Sequence, residues 1–228
     1  MKTIELSHVT TTLGSGPRAT TALRDCSLTA GAGEFVALTG KSGSGKTTLL
    51  RTIAGLLRPD AGTVEVAGVR VEVAGEKEIL KLRRETVGIV HQEDLLLDEL
   101  TAAENLLLVL TAAGSDAATA RAEALRCLEQ VGVADLADRL PPHEMSRGQC
   151  QRVGIARAIS GNRHIILADE PSAALDSENS RAVFGVFADL SSRGHTVVVA
   201  SHDELVHDYC DRTLNIRDGK LTAHEQPA

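Results

Sequence analysis

The run Gly40-Lys41-Ser42-Gly43-Ser44-Gly45-Lys46-Thr47-Thr48 holds the densest concentration of chemistry in this sequence. Its spacing fits G-x-x-x-x-G-K-[ST], a loop that cradles phosphate. Glycines at 40, 43 and 45 let the backbone bend and bring its N–H groups close to phosphate oxygens. Lys46 adds a mobile positive charge for the outer phosphates, and Thr47 a hydroxyl for Mg²⁺. Downstream stand Met145-Ser146-Arg147-Gly148-Gln149 and then Leu167-Ala168-Asp169-Glu170-Pro171. Asp169 can hold Mg²⁺ through water, and Glu170 can orient or deprotonate an attacking water. Two further polar residues each follow an apolar run. The long neutral amide of Gln92 can reach the metal or the water. The imidazole of His202 can donate to a γ-phosphate and hold Glu170 and the water in place. The other histidines show no metal-ligand spacing.

These residues need elements to position them. Glu34 to Leu38 reads as a buried strand before the phosphate loop, and Thr48 to Ala54 as a helix after it. That helix, starting near Gly45, aims its positive end at bound phosphate. Thr86 to Val90, Ile165 to Ala168 and Thr196 to Ala200 read as further buried strands. Their C-terminal edges, where ligands sit in open α/β sheets, carry Gln92, Asp169 with Glu170, and His202. Ser146 is a good N-cap for a helix from about Gln149 to Ser160, whose free N–H groups suit an anion.

The predicted fold class is α/β, a P-loop NTPase with a parallel sheet, an antiparallel β layer and a helical subdomain. Residues 1 to about 38 and 62 to 75 read as strands with Gly-rich turns. Residues 78 to 84 read as a short helix, and 93 to 148 as largely helical. There Ala117, Ala120, Ala124, Leu128 and Val131 recur at steps of three and four, one apolar face for core packing. Pro141-Pro142 ends that stretch. After 161 strand and helix alternate to about Leu221, and the tail Thr222 to Ala228 is expected to fray. No internal repeat or low-complexity segment is visible.

Taken in order, these motifs resemble the ATP-binding-cassette (ABC) ATPases. Gly40 to Thr48 matches that family's GxSGSGKST, with Thr47 in the Ser place. Gln92 matches the Q-loop glutamine, and Met145 to Gln149 the signature LSGGQ. Gln151 to Ile159 is similar to QRVAIARAL, Leu167 to Asp176 to LADEPTxxLD, and His202 to the switch histidine. The resemblance runs from about residue 3 to 222. Leu100 to Asn105 is similar to the LTAxEN of lipoprotein-release and macrolide-export ATPases.

The resemblance implies one cassette domain over 1–228. Residues 1–92 and 161–228 would form the core with its antiparallel layer, and 93–160 the helical subdomain. It implies ATP and Mg²⁺ as ligands, and two chains sandwiching two ATP. Each site would then take Lys46, Thr47, Asp169, Glu170, Gln92 and His202 from one chain and Ser146, Gly148 and Gln149 from the other. The implied partners are a second copy or a paralogous ATPase, and a separate transmembrane permease subunit. The implied place is the cytoplasm, peripheral on the inner face of the cell membrane. A regulatory or assembly ATPase of the same fold, or a weakly active ATP-binding module, are the alternatives.

Two positions depart from the family pattern. Arg147 replaces the usual glycine. Either a left-handed backbone is needed there, and arginine costs about 1 kcal/mol or more, or the backbone is ordinary and the guanidinium can add a contact across the interface. Leu13 stands where the family often stacks an aromatic ring on adenine. Such stacking is worth roughly 1–3 kcal/mol, so modest ATP affinity is expected. Leu95, Leu96, Leu97 and Leu100, beside Gln92, offer either a docking patch for the permease or cover for the subdomain joint.

Composition sets the remaining bounds. A net charge of −7 with no basic run argues against a dedicated nucleic-acid binder. The four cysteines lack CxxC spacing and read as reduced thiols, with Cys26 and Cys127 as packing residues. No secretory signal is read in Met1 to Val9, which alternates like a strand. The longest strongly apolar run, Leu106 to Leu110, is far short of the ~18 residues a span needs, so contact with the membrane is expected only through the partner.

Overall fold

The computed structural model describes residues 2–16, 19–93, 95–141 and 143–223. Its centre is a six-stranded sheet whose inner strands are buried on both faces, while the edge strand at its C-terminal end is largely exposed. In chain order these are β3 (Phe35–Thr39), β6 (Val87–Val90), β7 (Ile165–Asp169), β8 (Thr196–Ala200), β9 (Arg212–Arg217) and β10 (Lys220–Ala223). The sheet order is β10-β9-β3-β8-β7-β6, parallel except for the β9–β10 hairpin.

Near-continuous apolar sequence is what a two-sided strand requires, and the pleat then divides it. Phe35, Ala37, Ile166, Ala168, Val197 and Val199 face one core, while Val36, Leu38, Ile165, Leu167, Val198 and Ala200 face the other. The first core is closed by α3 (Ala102–Ala112), α4 (Ala117–Gln130), α5 (Arg147–Ile159) and α6 (Ser177–Ser192). The second is closed by α1 (Lys46–Ile53), α2 (Glu76–Glu85) and an antiparallel sheet. That sheet has the order β2-β1-β4-β5, from β1 (Lys2–Leu13), β2 (Thr20–Gly31), β4 (Ala61–Val66) and β5 (Val69–Arg70).

Side-chain caps set several helix starts. Thr101 and Glu104 form a capping box on α3, Asp116 caps α4, Ser146 and Gln149 form a second box on α5, and Asp176 caps α6. Because Ser146 is the cap, α5 begins at Arg147, two residues before the expected Gln149. The strand reading of 62–75 stops at Arg70, where a turn carries Val71 and Ala74 into the core. On α4, Ala120, Ala124, Cys127 and Leu128 are buried with Val131 just beyond, whereas Ala117 is exposed at the first turn. Thr222 and Ala223 belong to β10, and Pro142, Met1 and 224–228 lie outside the described residues. Among the described residues no helix is long and apolar enough to cross a membrane.

Candidate nucleotide site

The parallel strands end on the same side of the sheet, and the polar residues that follow them converge there. After β3, the loop carries Gly40, Gly43 and Gly45 at φ 146°, 76° and 117°, conformations that L side chains rarely adopt. Residues Ser42 to Thr48 line a cleft of about 1020 Å³ together with Leu13, Gln92 and Glu170. Gly40 and Lys41 line a neighbouring cleft of about 730 Å³, which also contains His202.

Lys46 is nearly buried, at 6% side-chain exposure, and its Nζ bridges Gly40 O at 2.7 Å and Glu170 Oε1 at 3.1 Å. The second carboxylate oxygen of Glu170 accepts from the His202 backbone N–H at 3.1 Å and lies 2.7 Å from His202 Nδ1. Both oxygens of Glu170 are therefore fixed. Its backbone is also constrained, at φ 49° with its N–H donating to Ala200 O at 2.8 Å. A left-handed glutamate costs on the order of 1 kcal/mol, which neighbouring structure must offset. Thr47 Oγ1 donates to Asp169 Oδ1 at 3.1 Å, placing a hydroxyl and a carboxylate side by side. Such hard oxygen donors fit Mg²⁺. Ser44 Oγ is buried with no hydrogen-bond partner among the described residues, in the loop that lines the cleft.

Ser146, Gly148 and Gln149 are not brought to this cleft. Ser146 Oγ accepts from Gln149 N–H at 3.3 Å, and Gln149 Oε1 accepts from Ser146 N–H at 2.8 Å. Gly148 is buried against α6, where a Cβ would collide with Asn179 Oδ1. Arg147 is exposed at the first helical position with no left-handed backbone, so its backbone is the ordinary one of the two cases. It shares a separate cleft of about 370 Å³ with Gln92, Glu93 and Pro171.

Comparison with known proteins gives this geometry a family. The sequence profile described as "ABC transporter" matches residues 23–173. The chain belongs to the ABC transporter family. It is an ATP-binding cassette that hydrolyses ATP. The macrolide export ATP-binding/permease protein MacB of Salmonella typhi is 40% identical over 225 residues, 99% of this chain and 34% of that protein. The "Probable syringafactin export ATP-binding/permease protein SyfD" of Pseudomonas syringae pv. syringae is 38% identical over 220 residues, 96% of this chain and 34% of that one. The cassette thus spans about a third of the length of these curated relatives. The solved cassette MJ0796, a dimer in a post-hydrolysis state bound to ADP and Pi, superposes with a TM-score of 0.87. It is 36% identical, with 98% of each chain covered.

Three side chains lie within motifs that carry the family resemblance but were given no role by motif reading. Buried Gln151 donates to His91 O at 3.3 Å, and Arg157 Nη1 donates to Leu95 O at 2.6 Å, so α5 grips the segment that carries Gln92. Asn105, 2% exposed, accepts from Leu97 N–H and donates to the carbonyls of Leu97, Leu100 and Thr101. The signals for Asn105 were its place at the end of the LTAxEN-like run and its polarity on an otherwise apolar helix face. These grips divide the leucines: Leu96 enters the core, while Leu95 and Leu97 remain exposed. Burial, with Arg157 nearby, pushes the pKa of His91 down.

Proposed function

We propose that this cassette binds MgATP in the 1020 Å³ cleft, closes as a dimer on two ATP, and drives a transmembrane permease, in export. The observation that carries the reading is the convergence of Lys46, Glu170 and His202 on one another beside the Thr47–Asp169 pair. The export assignment leans on the names of the relatives, and the dimer on the MJ0796 likeness.

The phosphate loop and the N-terminus of α1 hold the triphosphate through backbone N–H groups. Lys46 exchanges its contact with Glu170 for the outer phosphates, which frees one carboxylate oxygen. Thr47 and Asp169, with Gln92, would hold Mg²⁺, which when bound neutralises developing phosphate charge. Glu170 then accepts the proton of the attacking water. His202 keeps that carboxylate aimed through Nδ1 and its backbone N–H, and in its doubly protonated form would also donate from Nε2 to the γ-phosphate. Ser146, Gly148 and Gln149 serve the ATP of the opposite chain at the start of α5, where the capping box takes up the Ser146 and Gln149 amides and leaves those of Arg147 and Gly148 for phosphate. Residues 93–160 move as a helical subdomain against 1–92 and 161–228. Gln92 reports occupancy of the site to it, because α5 holds the Gln92 segment from the other side. The dimer sits on the cytoplasmic face of the cell membrane, attached through the permease, and does not engage nucleic acid.

Affinity capture of the tagged chain from detergent-solubilised membranes tests the role. Recovery of a permease whose presence changes ATP turnover is expected. Recovery of soluble proteins alone, with turnover unchanged by any membrane protein, would favour a regulatory or assembly ATPase instead.

A further inference from the structure

The ATP cleft has an uncommon wall beyond the phosphate loop. None of its lining residues is aromatic among those described. The four aromatic side chains, Phe35, Phe184, Phe187 and Tyr209, all pack in or against the core on the helical side of the parallel sheet. Leu13 and Thr20 to Ala22 form one wall of the cleft, and the turn Arg217-Asp218-Gly219-Lys220 between β9 and β10 forms another.

That turn is tied to the phosphate loop. Gly219 N–H donates to Ser44 O at 3.0 Å, and Gly219 O accepts from Arg24 N–H at 2.7 Å. The Cys26 thiol donates to the same carbonyl at 3.0 Å. Only glycine fits at 219, where φ is 77° and a Cβ would stand 2.7 Å from Ala22 O. The turn therefore keeps a set distance from any bound phosphates. Its side chains, by contrast, are exposed and loosely held. Arg217 is 87% exposed, and among the described residues its ion pair is a long one, 3.9 Å to Asp218. A guanidinium presents a flat face, and such planes stack on nucleobases as aromatic rings do.

We propose that Arg217 is the base-contacting residue of this cassette, its guanidinium plane stacking on a purine that meets Leu13 at the other wall. This rests on the reading of the cleft as a nucleoside triphosphate site. Stacking is tolerant of base identity, so adenine and guanine nucleotides bind within a few-fold of each other.

The test is calorimetric titration of the whole chain, wild type, Arg217→Ala and Arg217→Lys, with MgATP, MgGTP and inorganic tripolyphosphate. Both variants should lose about fivefold in affinity for either nucleotide, since lysine restores charge but not the plane. Tripolyphosphate should bind all three proteins alike. Equal losses for tripolyphosphate and nucleotide, recovery in Arg217→Lys, or no loss at all would each overturn the assignment while leaving the nucleotide site standing. A wild-type chain that binds neither nucleotide would instead overturn the reading of the cleft itself.

Discussion

The signature segment separates two positions that sequence treats as a pair. Arg147→Gly removes an exposed guanidinium at the start of α5, where the first turn carries no acid. Glycine loses about 1 kcal/mol of helix propensity. Removing a cation from the positive end of a helix returns about 0.3–1 kcal/mol. The two nearly cancel, and no left-handed backbone calls for glycine. Gly148→Ala is different. Its Cβ collides with Asn179 Oδ1, and the Asn179 amide is held at 3.0 Å to each oxygen of Asp176. Swinging it away loses two hydrogen bonds of about 1 kcal/mol each. Alanine recovers about 1 kcal/mol over glycine in the helix, leaving roughly 1 kcal/mol of net destabilisation. The start of α5 must also shift, and sub-ångström misplacement at a catalytic interface costs about tenfold or more in rate. Urea unfolding and phosphate release with MgATP, on both variants, are the assays. Arg147→Gly should stay within about threefold of wild type in turnover, and Gly148→Ala should be less stable and about tenfold slower. A tenfold or greater rise in turnover for Arg147→Gly, or wild-type stability and turnover for Gly148→Ala, would refute the reasoning.

Three further predictions use other parts of the molecule. Leu13→Tyr places a ring on the cleft wall and should tighten ATP binding about tenfold, given ~1–3 kcal/mol per stacked base; an unchanged dissociation constant would count against it. Cys26, Cys127 and Cys150 are buried and Cys210 half-buried, and burial pushes the Cys127 thiol up to about 12. A thiol reagent should therefore modify Cys210 first in the native protein, and rapid reaction of Cys127 before unfolding would contradict this. Burial holds the pKa values of His91 and His195 below the ordinary 6.5. The unfolded chain thus binds more protons than the native one below about pH 6.5, so stability rises with pH through that window. The urea midpoint should fall between pH 7.5 and 6, less steeply in a His91→Gln, His195→Gln double variant; an equal slope in both proteins would sink the assignment.

Much of the site was readable because its parts are local. A phosphate loop, a carboxylate pair at a strand end and a histidine after a strand each declare themselves within ten residues. The two-sided strands were legible for a similar reason, since Val197, Val198 and Val199 put apolar side chains on both faces of the sheet in succession. What stayed hidden depends on distance. Gln151 is an ordinary helix residue until His91 O arrives from sixty residues away. Asn105 caps a loop that only the fold brings to it. The left-handed backbone of Glu170 has no sequence mark, since glutamate is not a residue that favours it. Nor does the string Arg217-Asp218-Gly219-Lys220 disclose that its turn abuts the phosphate loop; it reads as a hairpin turn and no more.

The central claim is an ATP-closed dimer in which Glu170 handles the attacking water. Glu170→Gln keeps the side chain's shape while removing the base, and its single amide oxygen can accept from His202 or from Lys46 but not from both. Sedimentation velocity of this variant with MgATP, with bound nucleotide quantified, measures the claim most directly. A stable dimer holding two ATP, with turnover down at least about a hundredfold, is the predicted result. A monomer that still hydrolyses ATP at the wild-type rate would contradict the account.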